Sequence, residues 1–156
     1  LILRPEFVVA DEPVSMLDVS VRAGLLELLL KLKRELGLTY LYVSHDLATS
    51  KFICDRLAVM YLGKIVELGP SGKVLNEPFH PYTKALRAVL PILAPDRKHY
   101  RSVSDVIRGE IPNPIDIPAG CRLRPRCPHA KSICSEREPT LLDIGERSVA
   151  CHLYSA

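Results

Sequence analysis

No stretch of this chain stays apolar long enough to cross a membrane: the longest run, Gly24 to Leu32, is broken by Glu27 and Lys31. Blocks of like charge are missing too, and a net charge of +3 is too weak to argue for nucleic acid as a partner. There is no secretory leader and no initiator methionine, and Leu1-Ile2-Leu3 opens inside an apolar segment, so the expectation is a fragment whose N-terminal part lies elsewhere. Without a secretory signal, a disulfide framework is a poor default for the five cysteines, and metal or cluster ligation moves up. What remains is ordinary for a soluble globular protein: 156 residues, 47% hydrophobic and 25% charged, enough for one domain or a small domain with an appendage.

The most informative segment is Phe7-Val8-Val9-Ala10-Asp11-Glu12, an apolar run ending in two adjacent carboxylates. Such a run reads as a parallel strand buried on both faces, and its carboxyl end is where open α/β sheets bind ligands. One carboxylate at that edge can hold a hard cation through water, and the next can polarise an attacking water. A second apolar strand, Thr39 to Val43, ends in Ser44-His45-Asp46. Between them, a helix over about Val19 to Leu36 carries Leu25, Leu28, Leu29, Leu32 and Leu36 at helical spacing, with Asp18 or Ser20 as its cap and Gly37 as its stop. A short helix from about Leu47 to Cys54 follows. The segments Leu57 to Tyr61 and Lys64 to Leu68 then flank Leu62-Gly63 as a tight hairpin. Alternating strands and helices imply a parallel sheet with an antiparallel edge ribbon.

Arg4-Pro5-Glu6-Phe7-Val8-Val9-Ala10-Asp11-Glu12-Pro13 resembles the Walker B segment of ATP-binding cassette ATPases. Ser15-Met16-Leu17-Asp18 is similar to that family's D-loop, and Ser44-His45-Asp46 to its H-loop, in matching order and spacing over roughly the first 70 residues. The resemblance implies part of a RecA-like sheet with flanking helices. It also implies roles: Asp11 holding Mg²⁺ of ATP through water, Glu12 as general base, His45 at the γ-phosphate, and Asp18 communicating across a dimer of two such domains. The chain departs from the family in lacking any GxxxxGK[ST], hence any loop of backbone amides and lysine to cradle phosphates. The family's LSGGQ-type signature and glutamine loop are missing as well. ATP hydrolysis by this chain alone is therefore not expected.

From Pro70 the grammar changes. Pro81 to Leu90 reads as one helix with Pro81 in its first turn. Seven prolines fall between Pro91 and Pro128, so regular elements there must be short, and the segment needs docking or a staple. Asn76-Glu77-Pro78-Phe79-His80-Pro81-Tyr82-Thr83 resembles the element that opens the C-terminal extension of oligopeptide and dipeptide transporter ATPases. The plain reading of His80 beside that resemblance is a helix start satisfied by a backbone group. The division implied is residues 1–70 as ATPase core and 71–156 as extension.

Cys121, Cys127, Cys134 and Cys151 share the last 36 residues with gaps of five, six and sixteen. Zinc knuckles place two to four residues between cysteines, so these gaps suit a larger cluster with separate anchors better, although zinc stays open. His129 and His152 stand beside these cysteines, and Arg122, Arg124 and Arg126 are placed to offset thiolate charge. The pattern is similar to the cysteine motif of the same transporter ATPases, some of which carry a [4Fe–4S] cluster. Cys54 reads as a small buried apolar residue.

Together these resemblances imply the C-terminal half of the ATP-hydrolysing subunit of a peptide importer. Its partners would be a second ATPase subunit and transmembrane permease subunits, on the cytoplasmic face of the cell membrane. The isolated chain is expected to self-associate through unpaired sheet. Two alternatives stay open: a stand-alone iron–sulfur or zinc module, and a nickel importer of the same family.

Overall fold

The computed structural model describes residues 5–89, 107–110, 112–113 and 115–155, which fall into two compact units divided after Cys54. In the first unit, β1 (Phe7–Asp11) and β2 (Thr39–Val43) pair in parallel, with Phe7 opposite Thr39 and Asp11 opposite Val43. Helix α1 (Val19–Leu36) begins where expected because Asp18 caps it, its Oδ1 accepting from the backbone of Ser20 and Val21 at 3.0 Å each. It ends at Gly37, whose φ of 64° lets its N–H reach back to the Lys33 carbonyl. Helix α2 (Leu47–Ile53) is capped by Asp46, whose Oδ1 accepts from Ala48 N at 2.8 Å.

Val14, Leu26 and Ile53 form the core of this unit, with Leu25, Leu29 and Tyr42 packed against them. Among the described residues of this unit, only one face of β1–β2 is covered. Phe7, Val9, Leu41 and Val43 alternate onto the other face and are 44–58% exposed. The reading of strands buried on both faces is corrected here: both helices pack on the Tyr42 side, and no described element of this unit lies on the Phe7 side.

In the second unit, β3 (Arg56–Tyr61) and β4 (Lys64–Pro70) form the hairpin, turned by Leu62 and Gly63, both at positive φ. This hairpin is not an edge ribbon of the parallel sheet. It belongs to a separate antiparallel sheet of order β3-β4-β6-β5, with β5 (Leu142–Ile144) and β6 (Arg147–Val149) from the far end of the chain. Glu67 and Leu68 pair with Val149 and Ser148, so the cysteine-containing tail docks on the hairpin by backbone hydrogen bonds.

Helices α3 (Ser71–Asn76) and α4 (Pro81–Ala88) follow β4, and α5 (Ile133–Glu136) is a single turn. Val59, Tyr61, Val66, Val74, Ala85, Ile107 and Leu123 make one core, drawing residues from the hairpin, both helices and the tail. Leu90, where the expected helix ends, and Pro91, Pro95 and Pro114 of the proline-rich stretch lie outside the described residues. Among the described residues, no helix is long and apolar enough to cross a membrane.

Candidate functional site

In the first unit, the parallel pairing of β1 with β2 brings the two strand ends to one rim. Glu12 follows β1 with φ +47°, a left-handed backbone that non-glycine residues seldom adopt. Hydrogen bonds on both sides hold it there. Glu12 N donates to Val43 O (2.9 Å), and Glu12 O accepts from Ser15 N (3.2 Å) and Ser15 Oγ (3.0 Å). The turn carries the carboxylate across to the end of β2. There Oε1 accepts from His45 N at 3.0 Å and lies 2.8 Å from His45 Nδ1. A carboxylate only accepts, so Nδ1 bears a proton and Nε2 is left for another partner. The imidazole is 77% exposed, as a group that meets a ligand must be. Asp11 closes β1 with its residue exposed.

Asp18 lies apart from this pair in its bonding. Its Oδ1 also accepts from Ser20 Oγ at 2.6 Å, and that hydroxyl, with the Val21 amide, holds its carboxyl below the usual range. Arg22 went unnoticed in the sequence. Its guanidinium donates to Leu17 O at 3.1 Å and to Asp46 Oδ2 at 3.4 Å, tying the segment before α1 to the cap of α2. The signal available was its place one turn after Asp18 on the same helix face.

In the second unit, Cys121, Cys127, Cys134 and Cys151 line one narrow cavity with His80, Arg124, His129 and His152, and no disulfide joins them. The thiols are close enough to act on one another: Cys151 feels Cys121, Cys127 and Cys134, Cys121 feels Cys134 and Cys127, and Cys127 feels Cys134. Burial, first, pushes the thiols of Cys121, Cys127 and Cys151 up, and the neighbouring sulfurs add to this. Backbone N–H groups oppose it. Leu123, His129 and Leu153 donate to the sulfurs of Cys121, Cys127 and Cys151, each from two residues on, and Lys131 N donates to Cys134 Sγ at 3.4 Å.

Neutral thiols are weak acceptors, so four sulfurs each supplied with an amide proton form a set suited to thiolates bound to a positive centre. The donors thus fit a sulfur-ligated group. Among the described residues, however, no three of His, Cys, Asp and Glu are grouped as ligands of a single metal ion. The cavity offers about 10 Å³ to a water centre, close to the room for one molecule.

Of the three arginines, Arg124 lines the cavity. Arg122 pairs with Glu138 at 3.3 Å and donates to Leu62 O, and Arg126 donates to Arg108 O and Gly109 O at 3.3 Å. His152 Nε2 bonds Arg137 O at 2.9 Å, which fixes it as a structural group, and His129 is exposed.

Gly120 carries the approach of two ligand segments. Its φ is +71°, and a Cβ built there would stand 2.4 Å from Cys134 O, the carbonyl that accepts from Cys121 N at 2.8 Å. Gly120→Ala is expected to part these segments and loosen the second unit while leaving the first unit folded. Hydrogen exchange of both units checks this, and an Ala variant whose second unit exchanges like the parent's contradicts it.

The start of α4 is a buried polar network. His80 is 1% exposed and caps α4, its Nδ1 accepting from Tyr82 N at 3.1 Å, as the plain reading expects. Burial, with some help from Lys84, pushes its pKa down to about 4. Glu67, wholly buried, accepts from Phe79 N at 3.0 Å and His80 N at 2.9 Å. Arg147 lies 3.9 Å from that carboxylate, over the Phe79 ring, and donates to Lys73 O at 3.1 Å and to Glu77 O.

Residues 66–134, which contain this network apart from Arg147, together with three of the four cysteines, match the family described as oligopeptide/dipeptide transporter, C-terminal region. Across the whole chain the likeness is stronger. The oligopeptide transport ATP-binding protein OppF of Escherichia coli is 46% identical over 151 residues, 97% of this chain and 45% of its own length. AppF of Bacillus subtilis, named likewise, is 45% identical over 156 residues, 99% of this chain and 47% of its own. The dipeptide transport ATP-binding protein DppF of Escherichia coli is 46% identical over 151 residues, 97% and 44%.

The chain belongs to the oligopeptide/dipeptide transporter ATP-binding family. It spans about half the length of the curated relatives it matches. In this family member, the Glu12–His45 pair and the four-thiol cavity are built by separate units, each with its own core.

Proposed function

We propose that this chain is the C-terminal part of an ATP-hydrolysing subunit that powers import of oligopeptides or dipeptides through membrane permease partners, from the cytoplasmic side. The observation that carries the reading is the junction of Glu12 and His45 at 2.8 Å, at the carboxyl ends of two parallel strands. Held by the imidazole, the Glu12 carboxylate is positioned as the base for a water attacking a terminal phosphate, and His45, with both ring nitrogens protonated, would donate through Nε2–H to the phosphate oxygens. Asp11, exposed at the same strand end, would hold Mg²⁺ through water. Asp18 would face the second ATPase subunit from the cap of α1, with Arg22 linking its segment to the His45 loop.

A chimera tests this. In it, the chain replaces the matching residues of the Escherichia coli oligopeptide relative, in cells lacking that relative. Restored uptake of a labelled oligopeptide is the expected result. A stable chimera that hydrolyses ATP without restoring any peptide uptake contradicts the substrate class.

In the second unit, the reading is a [4Fe–4S] centre on Cys121, Cys127, Cys134 and Cys151 that fixes the shape of the tail. Four thiols around one cavity with no single-ion grouping favour a core that spans its ligands over a lone zinc, whose sulfurs at about 2.3 Å crowd together. When bound, the core supplies a positive centre for four thiolates. The chain supplies the amide donors, and the narrow cavity must widen to seat it.

The bare face of Phe7, Val9, Leu41 and Val43, with one edge of each strand unpaired in the described sheet, supports self-association of the isolated chain. Sedimentation is expected to show concentration-dependent oligomers. A well-folded monomer at all concentrations counts against this.

A further inference from the structure

We propose that Arg22 is a positioning residue for His45, clamping the loop that carries the imidazole to the segment that carries Asp18. The inference rests on the reading of Glu12 and His45 as the pair that acts on a terminal phosphate, and adds the residue that sets where this pair stands.

Arg22 stands one turn into α1, its backbone N–H bonded to Asp18 O at 2.9 Å. From there the planar guanidinium serves two loops at once. Nη2 donates at 3.1 Å to the carbonyl of Leu17, the residue before Asp18, and Nη1 donates at 3.4 Å to Oδ2 of Asp46, the residue after His45. Its Nε is buried and meets no acceptor among the described residues. An arginine spread into solvent would keep that nitrogen hydrated, so the side chain forgoes one hydrogen bond to set its other two nitrogens on separate loops.

The clamp reaches His45 through Asp46. Its Oδ1 accepts from Ala48 N at 2.8 Å, its N donates to Ser44 Oγ at 3.0 Å, and its O accepts from Thr49 Oγ1 and Ser50 Oγ at 2.9 Å each. With one carboxylate oxygen on α2 and the other on Arg22, Asp46 fixes the chain just after His45. Glu12 holds the rest, at His45 N and at the ring. The exposed imidazole takes its place from these anchors rather than from packing around it. The Arg22 and Asp46 side chains are 31% and 29% exposed, and screening leaves such a pair little worth to stability. Its loss is therefore felt in where His45 stands.

The experiment measures ATP turnover in the chimera with the Escherichia coli relative, beside urea denaturation of each variant. Arg22→Gln keeps a donor for one acceptor and loses the fork, and Arg22→Lys keeps the charge without the fork. Asp46→Asn keeps an acceptor to cap α2 and presents no charge to Arg22. R22Q is expected to lower kcat about 10- to 10²-fold, as a misplaced catalytic group does, with KM for MgATP and the urea midpoint unchanged. R22K falls between R22Q and the parent. D46N lowers kcat as well, and the double variant R22Q/D46N loses no more than the worse single variant, because both changes break one clamp.

The role of Arg22 is overturned, with the Glu12–His45 reading left standing, by an R22Q kcat equal to the parent's, by a loss of kcat matched by a lower urea midpoint, or by losses that multiply in the double variant. Undiminished turnover of Glu12→Gln in the same chimera overturns that reading first, and this role with it.

Discussion

Glu12→Gln, placed in the chimera with the Escherichia coli relative, is expected to lower ATP turnover by roughly 10²- to 10⁴-fold, the usual worth of a positioned general base. Glutamine keeps the length of the side chain and an oxygen able to accept from His45 N, which lies 3.0 Å from Oε1 in the parent. The strained backbone at φ +47° and its bonds to Val43 and Ser15 do not depend on the charge. The substitution therefore removes proton-accepting power and little else, and ATP affinity should hold within a few-fold. Phosphate release beside equilibrium nucleotide binding measures both. A variant within tenfold of the parent in turnover would remove Glu12 from the base role.

The second large effect is expected at Glu67→Ala. This carboxylate is wholly buried, holds the amides of Phe79 and His80, and faces Arg147 at 3.9 Å. Truncation leaves two amide donors unsatisfied and a buried guanidinium without its counter-charge. Removing one partner of a buried ion pair typically costs about 3–5 kcal/mol. Arg147 keeps its bonds to Lys73 O and Glu77 O and its place over the Phe79 ring, which argues for the lower end of that range.

Urea denaturation of the second unit reports the loss, and hydrogen exchange at α4 locates it. Glu67→Gln, which retains acceptor capacity, should cost clearly less than Ala. Equal losses in the two variants would mean that the charge and second oxygen, which both variants lack, decide the cost, and that the packing and acceptor kept by glutamine add nothing.

Much of the first unit was legible because its signals are local. Helix α1 runs over the residues that leucine spacing, Asp18 and Gly37 mark out. In the second unit, the same holds for helix α4, which starts at Pro81 with His80 capping it, as the His-Pro pair announces. The Glu12–His45 contact follows from two strands in parallel, each ending in a polar residue.

The illegible parts depend on distant pairings. Nothing in Leu142-Asp143-Ile144 or Arg147-Ser148-Val149 says that they close a sheet on Glu67 and Leu68, because three-residue strands carry too little periodicity. A lone glutamate in an apolar hairpin strand looks like a solvent-facing residue until Phe79, His80 and Arg147 come to meet it. The bare face of β1–β2 was missed for the opposite reason: an apolar run suggests cover on both sides, and the described residues supply it on one. Gly120 gave no sign of its role, since the contact with Cys134 exists only once the tail has folded.

The account turns on the rim where Glu12 meets His45 receiving the end of a triphosphate. A crystal structure of the Glu12→Gln chimera with MgATP tests that most directly. The account predicts the γ-phosphate within hydrogen-bond reach of the His45 ring, with the residue-12 side chain beside the attacking water and Asp11 facing the magnesium ion. Nucleotide bound elsewhere, with His45 turned to solvent and no phosphate at the ends of β1 and β2, would contradict it.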